Sequence, residues 1–292
     1  MSEEKINPLE LIPLMKEADA KRDAGLVEPD SLVKVKDLSY GPYGIENTFD
    51  IYYPKGTTNL LPTIVSIHGG GFVYGDKELY RFYAMYLATQ GFAVVNFNYR
   101  LAPASQYPAP IEDINNLMNW LLANGLDYHL DMQQLFILGD SAGAQLVEQY
   151  TTFVTNSEYA KLFNFTAEEV KPKAVALNCG VYFLGGQEPL TAQFPFYFGD
   201  EPTEAILQQF PIEPFITKNF PPAYIMSASH DFLKDLVQPL AAVLSAQGVT
   251  TETKIYENPD GSELGHVFHI DQKSAIAKLC NDDELTFFKE YL

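Results

Sequence analysis

The stretch LFILGDSAGAQLVEQYTTFV, residues 135–154, contains a sharp change of pattern. Leu135 to Leu138 are apolar without interruption; Gly139, Asp140, Ser141, Ala142 and Gly143 break the run, and apolar positions three or four apart follow. An unbroken apolar run of this length fits a strand buried on both faces, and the spacing after it fits a helix. Ser141 therefore stands on a strand-to-helix turn. A turn this sharp demands strained backbone angles, and the flanking glycines remove Cβ atoms that would strike the neighbouring strand and helix. The turn also aims free N–H groups of the helix N-terminus at the serine oxygen, where they favour developing negative charge. In this context G-x-S-x-G reads as a nucleophile.

Working outward, the same alternation of short apolar runs and helical spacing fills most of the chain. Strands are predicted over residues 32–38, 49–53, 63–67, 92–97, 135–138, 174–177, 223–227 and 251–256. The first two alternate polar with apolar residues, as strands with one wet face do, and the later ones are nearly continuous apolar runs. Helices are predicted over 79–89, 111–124, 142–154, 236–246 and 273–291, placed to serve as crossovers. The fold class is α/β, a mostly parallel buried sheet with an antiparallel start. Two segments fall outside the alternation: residues 1–30, and 182–220 with Phe194, Phe196, Tyr197, Phe198 and Phe210. Within one domain spanning 1–292 they are expected to form a cap over the carboxyl ends of the strands, where open α/β sheets bind ligands and aromatic side chains would wall a pocket.

A nucleophilic serine needs an oxyanion site, a base and a group to orient that base. Directly after the apolar run TIVSI come His68, Gly69, Gly70, Gly71 and Phe72. Three glycines there let the backbone approach a ligand and offer successive N–H groups to one oxygen. Of the five histidines, His68 belongs to this loop, His129 precedes a strand in a polar stretch, and His230 adjoins a strand end. Downstream of the serine, His266 lies in a loop after the last strand and is the better base, whereas His269 reads as the first turn of the final helix. Asp231 directly follows the run AYIMSAS and is the candidate acid. Asp235, four residues on, suits a helix start, where the dipole favours a carboxylate. Asp260 and Glu263 lie in a loop that would not fix an imidazole.

Composition sets further bounds. The formal net charge is −19 over 292 residues, with 19 Lys and Arg, which argues against nucleic acid as a partner and disfavours strongly anionic substrates. The acidic start, MSEEKINPLELIP, lacks the basic and apolar regions of a secretory signal, and no run reaches the roughly 18 apolar residues of a membrane span. A cytoplasmic location is the expectation. Cys179 and Cys280 have no metal or redox spacing and read as small buried hydrophobes.

Taken together, HGGGF at 68–72, NYRLAP at 98–103, YPAPIED at 107–113, GDSAG at 139–143, HDFLKD at 230–235 and GHVF at 265–268 resemble the hormone-sensitive-lipase-like esterases of the α/β hydrolases, over roughly residues 45–290. The resemblance implies a sheet of about eight strands with a helical cap, a Ser141, Asp231 and His266 triad, and oxyanion donors on Gly70, Gly71 and Ala142. It implies an esterase acting through an acyl-enzyme on neutral short- to medium-chain esters, without metal or organic cofactor. Arg100 and Asp113 resemble a pair that holds neighbouring loops together. Ala144 and Gln145 stand where many members have Gly-Asn, and Val267 follows His266 in place of the usual glycine. An amidase or formamidase would use the same triad, and a binding protein on an inactive hydrolase scaffold, as in the plant gibberellin receptors, would tend to lose one of its members.

Overall fold

The computed structural model describes residues 7–166 and 169–292. Eight strands form one sheet: β1 (Leu32–Ser39), β2 (Thr48–Pro54), β3 (Leu61–Ile67), β4 (Ala93–Phe97), β5 (Leu130–Asp140), β6 (Ala174–Asn178), β7 (Ala223–Ala228) and β8 (Thr251–Tyr256). Their spatial order is β1-β2-β4-β3-β5-β6-β7-β8. Pairings of β2 with β1 and with β4 are antiparallel, and all the others are parallel. This is the α/β-hydrolase fold.

Side chains alternate between two apolar layers because successive strand residues point to opposite faces. Val65, Val95 and Ile137 join one core, which α3 (Ala109–Asn124), α4 (Ala142–Thr155) and the helix Val237–Ala246 cover. Ile64, Val94 and Phe136 join the other, beneath α2 (Lys77–Thr89) and the C-terminal helix Ala275–Lys289. The eight predicted strands and five predicted helices all correspond to elements, the strand at 251–256 with the same bounds and the others with shifted ends. β5 starts five residues earlier than its apolar run because Leu130 and Asp131 pair with Leu61 and Pro62 of β3.

One expectation needs correcting. β2 has no wet face: Phe49, Asp50, Ile51 and Tyr52 are all buried. Asp50 is tolerated there because it accepts from the buried Lys77 ammonium at 2.8 Å and the Tyr52 hydroxyl at 2.7 Å. α4 likewise has no solvent face. Ala142 through Phe153 are buried, with Gln145, Glu148, Gln149, Thr151 and Thr152 among them.

The N-terminal helix α1 (Pro8–Asp23) is capped by Asn7, whose side chain accepts from the Leu9 N–H at 3.0 Å. Residues 1–6 of the segment expected to contribute to the cap lie outside the described residues. Arg22 donates to the Leu79 carbonyl of α2 at 2.9 Å and Tyr74 donates to Asp19 at 2.7 Å, so α1 is tied down near the carboxyl ends of the central strands. Lys273 reaches the carbonyls of Lys21 and Ala24 from the other end of the chain. No described helix is long and apolar enough to cross a membrane.

Candidate active site

Ser141 has φ 52° and ψ −117°, a conformation that side chains rarely adopt. The turn is held by its own backbone: Ser141 N–H donates to the Asn178 carbonyl at 2.9 Å and its carbonyl accepts from Val181 N–H at 3.3 Å. Gly143 lets α4 begin against the end of β3, since a Cβ there would run into the backbone carbonyls of Ile67 and His68. A serine on the central strand is thereby raised above the sheet edge.

His266 comes to it from 125 positions away. Its Nε2 lies 2.9 Å from Ser141 Oγ and its Nδ1 lies 2.9 Å from Asp231 Oδ1. In the tautomer that suits both partners, Nδ1–H donates to the carboxylate and Nε2 accepts from the serine hydroxyl. Asp231 is fixed in turn by the Leu233 N–H at 2.8 Å and the Ser227 hydroxyl at 2.8 Å. Burial alone would push its carboxyl up, but His266 and these two donors outweigh burial and hold it below the usual carboxylate range. Val267, beside His266, occupies the left-handed region at φ 57°, where a glycine would be unstrained.

The glycine loop faces the same serine. Gly69 N–H is taken, donating to Asp140 at 3.2 Å and to the Tyr80 hydroxyl at 3.1 Å. Among the described residues, the N–H groups of Gly70, Gly71 and Ala142 have no protein acceptor, and all three residues line the pocket with Ser141. Gly70, at φ 110°, could not be another residue because its Cβ would meet the Tyr74 carbonyl. His68 braces the loop from below: its ring stacks on Tyr99 at 4.1 Å, and Nδ1 lies 2.8 Å from the Gly69 carbonyl. Burial pushes its pKa down to about 4, so this histidine is neutral.

The pocket above these groups has a volume of about 690 Å³. Its walls are mostly apolar: Leu11, Met15 and Ala18 of α1, Val73 and Phe194. At its mouth Phe232 is 78% exposed, with its ring 4.6 Å from that of His266. The arrangement offers a hydroxyl in line with a base, beside unpaired N–H donors, inside a cavity sized for a small organic molecule.

The BD-FAE family model matches residues 49–239, about two thirds of the chain. The chain belongs to the BD-FAE family. Several of its relatives bear esterase names. It is 28% identical over 226 residues to a versiconal hemiacetal acetate esterase of Dothistroma septosporum, covering 71% of this chain and 68% of that one. It is 26% identical over 263 residues to an acetyl esterase of Salmonella paratyphi B, covering 85% and 77%. In structure it is similar to esterase B from Lactobacillus rhamnosis inhibited by a tributyrin phosphonate, with a TM-score of 0.83, 27% identity, and 97% and 94% of the two chains covered. These findings agree with the resemblance to hormone-sensitive-lipase-like esterases, and this BD-FAE member is a carboxylesterase.

The remaining candidates are placed elsewhere in this BD-FAE fold. His129 precedes β5 and so stands at the opposite edge of the sheet, against Tyr53. His230 is exposed, beside Ser229. His269 lies in a short 3-10 turn before the final helix; it is buried against Tyr83, and burial pushes its pKa down to about 3. Asp235, Asp260 and Glu263 are exposed. Arg100 and Asp113 form the expected buried pair, with Arg100 Nε 2.9 Å from Asp113 Oδ1 and the Arg100 backbone N–H donating to Oδ2 at 2.8 Å. Of the aromatics named above in 182–220, Phe194 lines the pocket, Phe196 is half-buried, and Tyr197, Phe198 and Phe210 are buried, Tyr197 stacked on Phe72 at 3.9 Å. Sequence reasoning missed Asp19 and Arg22 in the pocket wall, Tyr80 on Asp140, and Cys179 near Asp231 and His266. No pattern in α1 signalled the first two, because its apolar and polar residues are not segregated to opposite faces.

Proposed function

We propose that the chain hydrolyses neutral short- to medium-chain carboxylic esters through an acyl-enzyme, with Ser141 as nucleophile, His266 as general base and acid, and Asp231 as its orienting carboxylate. The observation that carries this reading is the hydrogen-bonded line from Ser141 Oγ through both His266 nitrogens to Asp231. His266 takes the serine proton as Oγ attacks the ester carbonyl. The negative charge that develops on the carbonyl oxygen is met by the N–H groups of Gly70, Gly71 and Ala142, each of which can contribute on the order of 100-fold in rate. His266 then gives the proton to the departing alcohol. A water molecule, deprotonated by the same ring, releases the acid and restores Ser141. Asp231, held ionised by its donors, keeps the tautomer and stabilises the imidazolium.

The substrate class follows from the cavity and the charge. Mostly apolar walls suit an alkyl or small aryl ester, and the limited volume disfavours long chains. The inhibition of the similar esterase B by a tributyrin phosphonate supports a short acyl group. Nitrophenyl esters of increasing acyl length test the reading: kcat/KM should peak at short or medium chains and decline beyond them. Ser141→Ala should lower kcat by roughly four orders of magnitude or more. Full activity in that variant would remove Ser141 from the chemistry.

A further inference from the structure

Three adjacent strands end at one edge of the sheet, and each delivers a side chain to the same small volume. Ser141 follows β5, Asp231 comes shortly after β7, and Cys179 follows β6, which lies between them. Ligand atoms of Cys179, Asp231 and His266 all lie within 4.8 Å of one another. Cys179 is a free, buried thiol. Its backbone is left-handed at φ 48° and is pinned there by the N–H donating to the Met226 carbonyl at 2.7 Å. A residue serving only to fill space requires neither that conformation nor a facing carboxylate.

Sulfur, imidazole nitrogen and carboxylate oxygen are the donors that Zn²⁺ prefers, at about 2.3, 2.1 and 2.0 Å, so neighbouring ligand atoms around a tetrahedral ion are roughly 3.3–3.8 Å apart. The observed separations are close enough for side-chain rotation to reach that spacing. We propose that Cys179, Asp231 and His266 form an inhibitory binding site for Zn²⁺. The ion displaces the thiol proton, which is released to solvent, the ring proton moves from Nδ1 to Nε2 so that the neutral imidazole binds through Nδ1, and no group is oxidised or reduced. With metal on Nδ1, His266 loses its hydrogen bond to Asp231, and Nε2, which then carries the ring proton, cannot accept the proton of Ser141. The consequence for activity rests on the role proposed above for His266; the binding itself does not.

The test is a Zn²⁺ titration of chelator-treated enzyme against a chromogenic chelator, with nitrophenyl ester hydrolysis followed in parallel. Wild type should bind one Zn²⁺ per chain and lose activity as the site fills, with recovery on adding EDTA. Loss of a supporting contact alone costs a metal site about 10–100-fold, so Cys179→Ala, which removes a ligand, should weaken binding at least tenfold. Its inhibition, measured against its own metal-free rate, should weaken in parallel. Cys179→Ser, which keeps the size of the side chain, should also weaken both, which guards against misfolding of the alanine variant. Ser141→Ala should still bind one Zn²⁺, so that a failure of the metal site and a failure of the proposed nucleophile are separable. Unchanged affinity in both Cys179 variants, or no stoichiometric binding by wild type, overturns the site.

Discussion

Asp140, next to Ser141, is completely surrounded by protein and accepts from the Tyr80 hydroxyl at 2.8 Å as well as from Gly69 N–H. Burial nonetheless pushes its carboxyl up to about 7 from the ordinary 3.8. Between those values the folded chain holds a proton that the unfolded chain has released, so this residue makes stability fall as pH rises through that window. Below it both states are protonated and above it both are ionised, and the contribution is flat. Asp140→Asn removes the titration. Its melting temperature relative to wild type should therefore climb as pH rises from about 4 to about 7 and level off above that. A difference independent of pH would show that the carboxyl is ionised throughout. Its membership of G-x-S-x-G was legible in the sequence, but its protonation was not, because burial is set by Tyr80 and by a loop seventy residues upstream.

At the scale of elements, two ties hold the segments around the pocket. Arg100 and Asp113 join the loop after β4 to α3 with both partners buried, and Arg100 also donates to Glu112 at 3.0 Å and lies 4.1 Å over the Tyr43 ring. Removing one partner strands the other charge, at a cost of about 3–5 kcal/mol. Arg100→Met should thus show a lower urea midpoint by that free energy, while the fraction still folded keeps kcat/KM within a few-fold; an unchanged midpoint would show that the pair is dispensable. The second tie is the Tyr74 hydroxyl on Asp19, a hydrogen bond to a charged group worth about 1.5–3 kcal/mol. Tyr74→Phe should speed hydrogen exchange of α1 amides by roughly tenfold or more while leaving the central strands protected. Equal exchange in both proteins would mean that the other contacts of α1 suffice. The Arg100 pairing could be anticipated from the motif that contains it, whereas the Tyr74 contact could not, since α1 has no amphipathic pattern strong enough to say what it covers.

The whole molecule carries a formal charge of −19, and the pocket opens through that field. An ester with a carboxylate on its alcohol side is repelled before it arrives, whereas a neutral ester of the same shape is not. The neutral ester should have the larger kcat/KM at low salt, and the gap should narrow as ionic strength rises from about 0.01 to 0.15 M, where screening shortens from about 30 to 8 Å. A gap insensitive to salt would place the discrimination inside the pocket.

The sequence by itself determined the strand and helix alternation, the turn that raises Ser141 and the glycine loop that faces it. These are local matters: apolar periodicity records which face of an element is buried, and glycine records where a Cβ cannot fit. It also singled out His266 and Asp231, which the structure brings together with Ser141, since chain order and position after a strand narrow the choice. Only the tertiary structure decided that β2 is buried on both faces with Asp50 paired to Lys77, that Asp19 and Arg22 reach the pocket wall, and that Cys179 stands beside Asp231 and His266. Each depends on which distant element is packed alongside, and a pattern of burial along one chain does not specify the neighbour that provides it.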